Sequence, residues 1–214
     1  MDVITKFNLQ ELDLMIQSRD KIELPQCILN CRSLVSLKLS LHRLGTFSGL
    51  KKCMFPGFSR LKSLELCYVM FMDSLSLANF VSSCPHLERM SLDYCSFVDD
   101  NIIEITATSL KDLSIILPER SMLFKGPISR EQTIKFELKV ACPNLVSLKV
   151  VSLRSHKFSF QDMNSLQNFL MDLDRPDDNL KVEQCCHALS KMLKGVCNVK
   201  ALKEMISFEV SLII

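Results

Sequence analysis

The chain has 214 residues, 48% of them hydrophobic and 23% charged, which excludes a disordered polar tract and suffices for one ordinary hydrophobic core. A formal net charge of +2, with no block of like charge, argues against a dedicated nucleic-acid or membrane-surface binder, whose phosphate contacts demand a basic stripe. Asp2, Lys6, Glu11 and Asp13 interrupt the first residues, so no signal-peptide core forms there, and no apolar run approaches a membrane span. The ten cysteines are therefore expected as free thiols in a reducing compartment, cytoplasmic or nuclear.

One pattern recurs along the chain: apolar, two variable, apolar, one variable, apolar. It runs through Leu9, Leu12 and Leu14, then Leu34, Leu37 and Leu39, then Leu61, Leu64 and Leu66. Leu87, Met90 and Leu92 follow, then Leu110, Leu113 and Ile115, then Leu145, Leu148 and Val150. The first five copies begin 25, 27, 26 and 23 residues apart, within the range of a leucine-rich repeat. The longer gap from Leu110 to Leu145 implies an insertion or an extra degenerate repeat around Ile134–Leu138. Alternate residues of a strand share a face, so the last two motif positions point together into a core. One repeat cannot bury that edge alone, and stacked neighbours can. The expected architecture is α/β: a leucine-rich-repeat solenoid with a parallel β-sheet on one face and short helices or loops on the other. Asp73 and Ser74 are helix N-cap types before Leu77, Phe80 and Val81 at helical spacing, and Cys84-Pro85 stops that helix. Asp99-Asp100 precede Ile102, Ile103 and Ile105, read as a short apolar turn. The expected unit is strand, loop, short helix and next strand, six to eight irregular times over one domain spanning 1–214.

The words between repeats resemble those of plant F-box/LRR proteins. The similar stretches are IELPQCILNCRSLVSLKLS (Ile22–Ser40), FSRLKSLELCYVMFMDSLSLANFVSSCPHLERMSLDYC (Phe58–Cys95), ACPNLVSLKV (Ala141–Val150) and LSKMLKGVCNVKALK (Leu189–Lys203). The resemblance implies repeats that recruit a target protein to an SCF-type ubiquitin ligase. In such proteins an N-terminal F-box binds a Skp1-like adaptor; this sequence opens almost on the first repeat strand, so an F-box and that adaptor are not expected here. The tail from 204 to 214 leaves the pattern, since Glu204 stands where an apolar strand position belongs. The resemblance implies a protein-interaction module, incomplete as a ligase subunit; the alternative is a truncated fragment with no function.

No pattern of catalytic or ligand-binding chemistry emerges. Cys27 and Cys31 form one metal-like pair, and Cys185, Cys186 and His187 a cluster, but zinc sites need paired elements. Cys31, Cys84 and Cys142 each stand three residues before a motif leucine, a recurring place that points to packing. Cys95, three after Leu92, is expected to be buried against turn backbone. The segment Gly45–Lys52 lacks the spacing of a phosphate-binding loop, and His42, His86, His156 and His187 stand near no nucleophile motif. Asp99-Asp100 and Asp177-Asp178 are adjacent pairs that cannot face each other. No metal, cofactor, nucleic acid or membrane is therefore expected, and no enzymatic activity.

The residues between the motif apolars face outward and are the expected partner surface. They are Glu11 and Asp13; Ser36, Lys38 and Ser40; Ser63, Glu65 and Cys67; Arg89, Ser91 and Asp93; Asp112 and Ser114; Ser147 and Lys149. Among them Lys38, Ser63, Glu65, Arg89, Ser91, Asp93, Asp112 and Lys149 are the candidate binding residues for an unknown target protein, with charges of alternating sign in the middle of the face.

Overall fold

The computed structural model describes residues 8–17, 25–41, 56–71, 74–97, 102–117, 137–152, 157–174 and 201–207. The leucine motif becomes a strand wherever it occurs. Its six copies give β1 (Glu11–Ile16), β2 (Ser36–Leu41), β3 (Ser63–Cys67), β5 (Arg89–Asp93), β8 (Asp112–Ile116) and β10 (Ser147–Ser152). Two further strands, β12 (Asn168–Asp174) and β13 (Ala201–Ser207), complete an eight-stranded sheet in chain order, parallel at every pairing. The register aligns motif with motif: Leu37 stands beside Leu64, Leu64 beside Met90, Met90 beside Leu113 and Leu113 beside Leu148. A one-residue slip would turn every leucine outward, so burial itself fixes this register.

The first motif position lies in the turn that leads into each strand. The N–H of Leu34, Leu61, Leu87, Leu145 and Leu166 donates to the carbonyl three residues back, at 3.1–3.3 Å. Those earlier residues, Cys31, Phe58, Cys84, Cys142 and Met163, are all buried, so the recurring cysteine is a packing position as the sequence implied. Between turn and strand, one carbonyl per repeat accepts two N–H groups from the next. Gln10 receives Val35 and Ser36, Lys62 receives Glu88 and Arg89, and Lys111 receives Val146 and Ser147. This continuity satisfies backbone groups that would otherwise be lost at the sheet edge.

The gap from Leu110 to Leu145 adds no strand to the main sheet. β8 pairs directly with β10, and Leu138 lies on β9 (Glu137–Ala141) in a second sheet. Of the two readings of that gap, the insertion fits this direct pairing, and Ile134 itself lies outside the described residues. The second sheet runs β11 (Lys157–Gln161), β9, β7 (Ile102–Thr106), again parallel. β7 corrects the expected apolar turn at Ile102–Ile105: its burial alternates strictly, with Ile103 and Ile105 inside and Ile102 and Glu104 outside.

The helical version of the repeat occurs earlier in the chain. A four-residue helix α1 (Gln26–Leu29) and a 3-10 helix (Pro56–Arg60) precede α2 (Ser74–Ser82), which buries Leu77, Phe80 and Val81. α2 packs against β7 and against β4 (Met70–Phe71), which pairs with β6 (Ser96–Phe97). Stacked rings of Phe71 and Phe97, 5.0 Å apart, extend this short ladder into the core. Burying a Leu- or Phe-sized side chain contributes about 1.5–3 kcal/mol. The core is one continuous cluster from Ile28 to Met171. Among the described residues, no helix is long and apolar enough to cross a membrane.

Candidate functional site

The outward side chains of the main sheet fall into three rows set by the strand register. One row holds Glu11, Ser36, Ser63, Arg89, Asp112, Ser147 and Asn168. The middle row holds Asp13, Lys38, Glu65, Ser91, Ser114, Lys149 and Leu170. The third holds Met15, Ser40, Cys67, Asp93, Ile116, Val151 and Asp172. All eight candidate residues, Lys38, Ser63, Glu65, Arg89, Ser91, Asp93, Asp112 and Lys149, therefore stand on one face. None is buried, while the motif residues beside them are.

The charges do not form a single alternating line. Lys38 and Glu65 are register neighbours joined by an ion pair at 3.1 Å, and the hydrogen bond from Lys38 to Glu65 raises the lysine pKa. Arg89 and Asp112 neighbour each other one row away, and Asp93 stands in the third row between Cys67 and Ile116. Asp93 is held in place: Ser91 donates its hydroxyl to Oδ1 at 2.8 Å, and the Cys67 thiol lies 3.9 Å from Oδ2. Burial is the main reason that the Cys67 thiol is pushed above its ordinary pKa.

The edge where the chain enters the strands carries its own charges. Glu88 accepts from Lys111 at 3.3 Å and pairs with Lys62 at 3.4 Å. The hydrogen bonds from Lys111 and then Lys62 hold its carboxyl below the usual range. This edge forms a shallow groove of about 780 Å³ lined by Lys62, His86, Glu88, Lys111, Asn144 and Gln167 among others. At the opposite edge Tyr68 and Tyr94 each follow a strand by one residue in the left-handed region, with φ of 57° and 56°. A bulky residue is uncommon there. The conformation aims the Tyr68 N–H at the Asp93 carbonyl and the Tyr94 N–H at that of Ile116, and the two rings stack with centroids 5.0 Å apart.

The thiols of the turns are packing groups. Cys95 is buried and its Sγ donates to the Leu66 carbonyl at 3.3 Å, matching the expectation of burial against turn backbone. Burial raises its pKa, and likewise that of Cys142, and pushes Cys84 up to about 12. A nucleophilic cysteine needs the opposite shift. Among the described residues no three His, Cys, Asp or Glu side chains converge as metal ligands. Cys185, Cys186, His187, His42, His156, Gly45–Lys52, Asp99-Asp100 and Asp177-Asp178 lie outside the described residues.

Several outward residues escaped the sequence reading. Asn168, Leu170 and Asp172 belong to a seventh copy of the motif, Leu166, Phe169 and Met171, in which phenylalanine and methionine replace leucine. Ile116 and Val151 continue the third row two residues past Ser114 and Lys149 on their strands. Tyr68 and Tyr94 stand at the same offset, seven residues after Leu61 and Leu87, which is a signal the sequence carries openly.

A family model described as "FBD-associated F-box protein At5g56370, LRR repeats" matches residues 2–124, more than half of the chain. The chain belongs to this plant F-box-associated leucine-rich-repeat family. It is 26% identical to "Putative F-box protein At1g58310" of Arabidopsis thaliana over 204 residues, 90% of this chain and 38% of that protein. It is 36% identical to "F-box/FBD/LRR-repeat protein At5g56420" of the same plant over 107 residues, 50% of this chain and 24% of that protein. "Putative FBD-associated F-box protein At5g53635", also from Arabidopsis thaliana, matches at 25% over 93% of this chain and 44% of its own length. The chain thus spans less than half the length of the relatives it matches. No solved structure matches it.

Proposed function

We propose that the chain is a protein-interaction module whose repeats stack as a leucine-rich-repeat solenoid and grip a target protein through the outward face of the main sheet. In this reading the face plays the part of the substrate-recognition repeats of an SCF-type ubiquitin ligase, in the cytoplasm or nucleus. The module itself performs no chemistry. The observation that carries the proposal is the unbroken register of the outward rows. It presents polar, charged and partly exposed side chains from seven strands as one extended surface, the kind of surface that repeat proteins use for partners. Membership of a family named for F-box proteins supports the ligase context.

The test is affinity capture of a partner from plant extract by the full chain and by charge-reversed E65K/R89E. The proposal expects at least about tenfold less of a reproducible partner on the variant, with an unchanged far-ultraviolet spectrum. Leu75→Glu changes an exposed residue of α2 and serves as the control. Loss of the partner on L75E with retention on E65K/R89E would move the site to the helical side and defeat the assignment.

A further inference from the structure

The outward rows change character along the sheet. On β2 and β3 they consist of serines, the paired Lys38 and Glu65, and Cys67. From β8 onward the positions equivalent to Ser40 and Cys67 are Ile116 and Val151, and Leu170 takes the place of the middle-row charge. These three apolar side chains are partly exposed, where the motif residues beside them are buried. Ile116 and Val151 are register neighbours, with Asp93 on one side of the pair and Asp172 on the other. Three strand spacings separate the two aspartates, about 14 Å.

Charge distinguishes this surface from the chain as a whole. From β1 to β12 the outward rows carry six carboxylates, Glu11, Asp13, Glu65, Asp93, Asp112 and Asp172, against three cations, Lys38, Arg89 and Lys149, although the whole chain is net +2. Lys38 is already occupied by Glu65. Among the described side chains no cation lies within ion-pair distance of Asp93 or Asp172. The groove at the strand-entry edge is a weaker candidate, because its Glu88 already binds both Lys62 and Lys111.

We infer that the outward face over β5, β8, β10 and β12 takes an extended segment of a partner protein that carries a large apolar residue midway between two Arg or Lys residues about four positions apart. The inference rests on the proposal that this face is the binding face. An extended segment rises about 3.4 Å per residue, so side chains four apart match the separation of Asp93 and Asp172. The apolar residue midway between them shares their face and covers Ile116 and Val151, removing them from water, and the flanking cations set the sign and register of docking. Asp93 is fixed by Ser91 before a partner arrives, which lowers the ordering cost of binding.

The experiment is selection of random 12-residue displayed peptides on the full chain, with binders remeasured on D93N/D172N and on I116K/V151K, each checked by circular dichroism. The expected binders carry Arg or Lys two positions to either side of a large apolar residue, lose about tenfold or more in affinity on D93N/D172N, and are abolished by I116K/V151K. Acidic or uncharged binders that I116K/V151K abolishes would overturn this inference and leave the binding-face proposal standing. Basic binders indifferent to both variants would overturn the inference and count against the face itself. A selection without enrichment would overturn the inference alone, since the E65K/R89E capture tests the face separately.

Discussion

On the main sheet, β2, β3, β5, β8 and β10 repeat one motif in unbroken register, whereas the opposite side of the same repeats changes element from one to the next. The repeat from Leu61 to Leu87 crosses back with the helix α2; the shorter one from Leu87 to Leu110 crosses with the strand β7. Chain economy accounts for the difference. A helix advances 1.5 Å per residue and a strand about 3.3 Å, so a shorter repeat covers the return path only in extended form. Once β7 exposes its backbone groups, β9 and β11 satisfy them by pairing in turn, even though the repeat that contains β9 is long. The side that must match a neighbour at every strand is uniform, and the side that must only return the chain is free to vary.

An alanine series breaks or sharpens this contrast most strongly. Leu64 is fully buried at a motif position, and Leu64→Ala is expected to cost about 2–5 kcal/mol in chemical denaturation. On the variable side, the alternation of β7 predicts a comparable loss for Ile105→Ala and well under half of it for Ile102→Ala, because Ile102 is 42% exposed. Equal losses at Ile102 and Ile105 would return that segment to a turn. Thiol labelling gives the next effect. Cys67 faces outward from the main sheet and Cys27 is partly exposed, whereas Cys84, Cys95 and Cys142 are buried. With Cys84 pushed up to about 12, its thiolate near pH 8 is roughly a thousandfold scarcer than that of an ordinary thiol. Iodoacetamide mapping by mass spectrometry should therefore modify Cys27 and Cys67 well before the other three, with Cys84 gaining reactivity as pH rises. Early modification of Cys84 or Cys95 in folded protein would contradict the packing role. The smallest effect belongs to the outward face: Ser63→Ala, beside Leu64, is expected within about 0.5 kcal/mol of the parent.

The same contrast governs what could be read from the sequence. The main sheet was legible because a strand buried on one face demands apolar residues at a fixed spacing, and leucine met that demand in six copies. The seventh, on β12, was hidden because Phe169 and Met171 fill the same core volume without the leucine signature. The variable side was legible only at α2, where Leu77, Phe80 and Val81 follow a helical period. At Ile102–Ile105 three isoleucines in four positions fit a turn or a strand equally, and the pairing partner that decides, β9, lies more than thirty residues ahead. The polar candidates on the outward face followed directly from strand alternation. Ile116, Val151 and Leu170 did not, because apolar residues at outward positions read as core until neighbouring strands are known.

The direct joining of the repeats across the long gap makes one outward face from β1 to β12. It is tested by oxidising an Asp112→Cys/Ser147→Cys variant and mapping disulfide-linked peptides by mass spectrometry. These positions are register neighbours on β8 and β10, so their Cα atoms lie about 5 Å apart, within disulfide reach. A control pair, Asp112→Cys/Asn168→Cys, stands two strands apart and lies out of reach. The direct β8–β10 pairing predicts a 112–147 link and no 112–168 link. Failure of the first pair to link while the protein remains folded, as an intervening strand from residues 118–136 would cause, would contradict it.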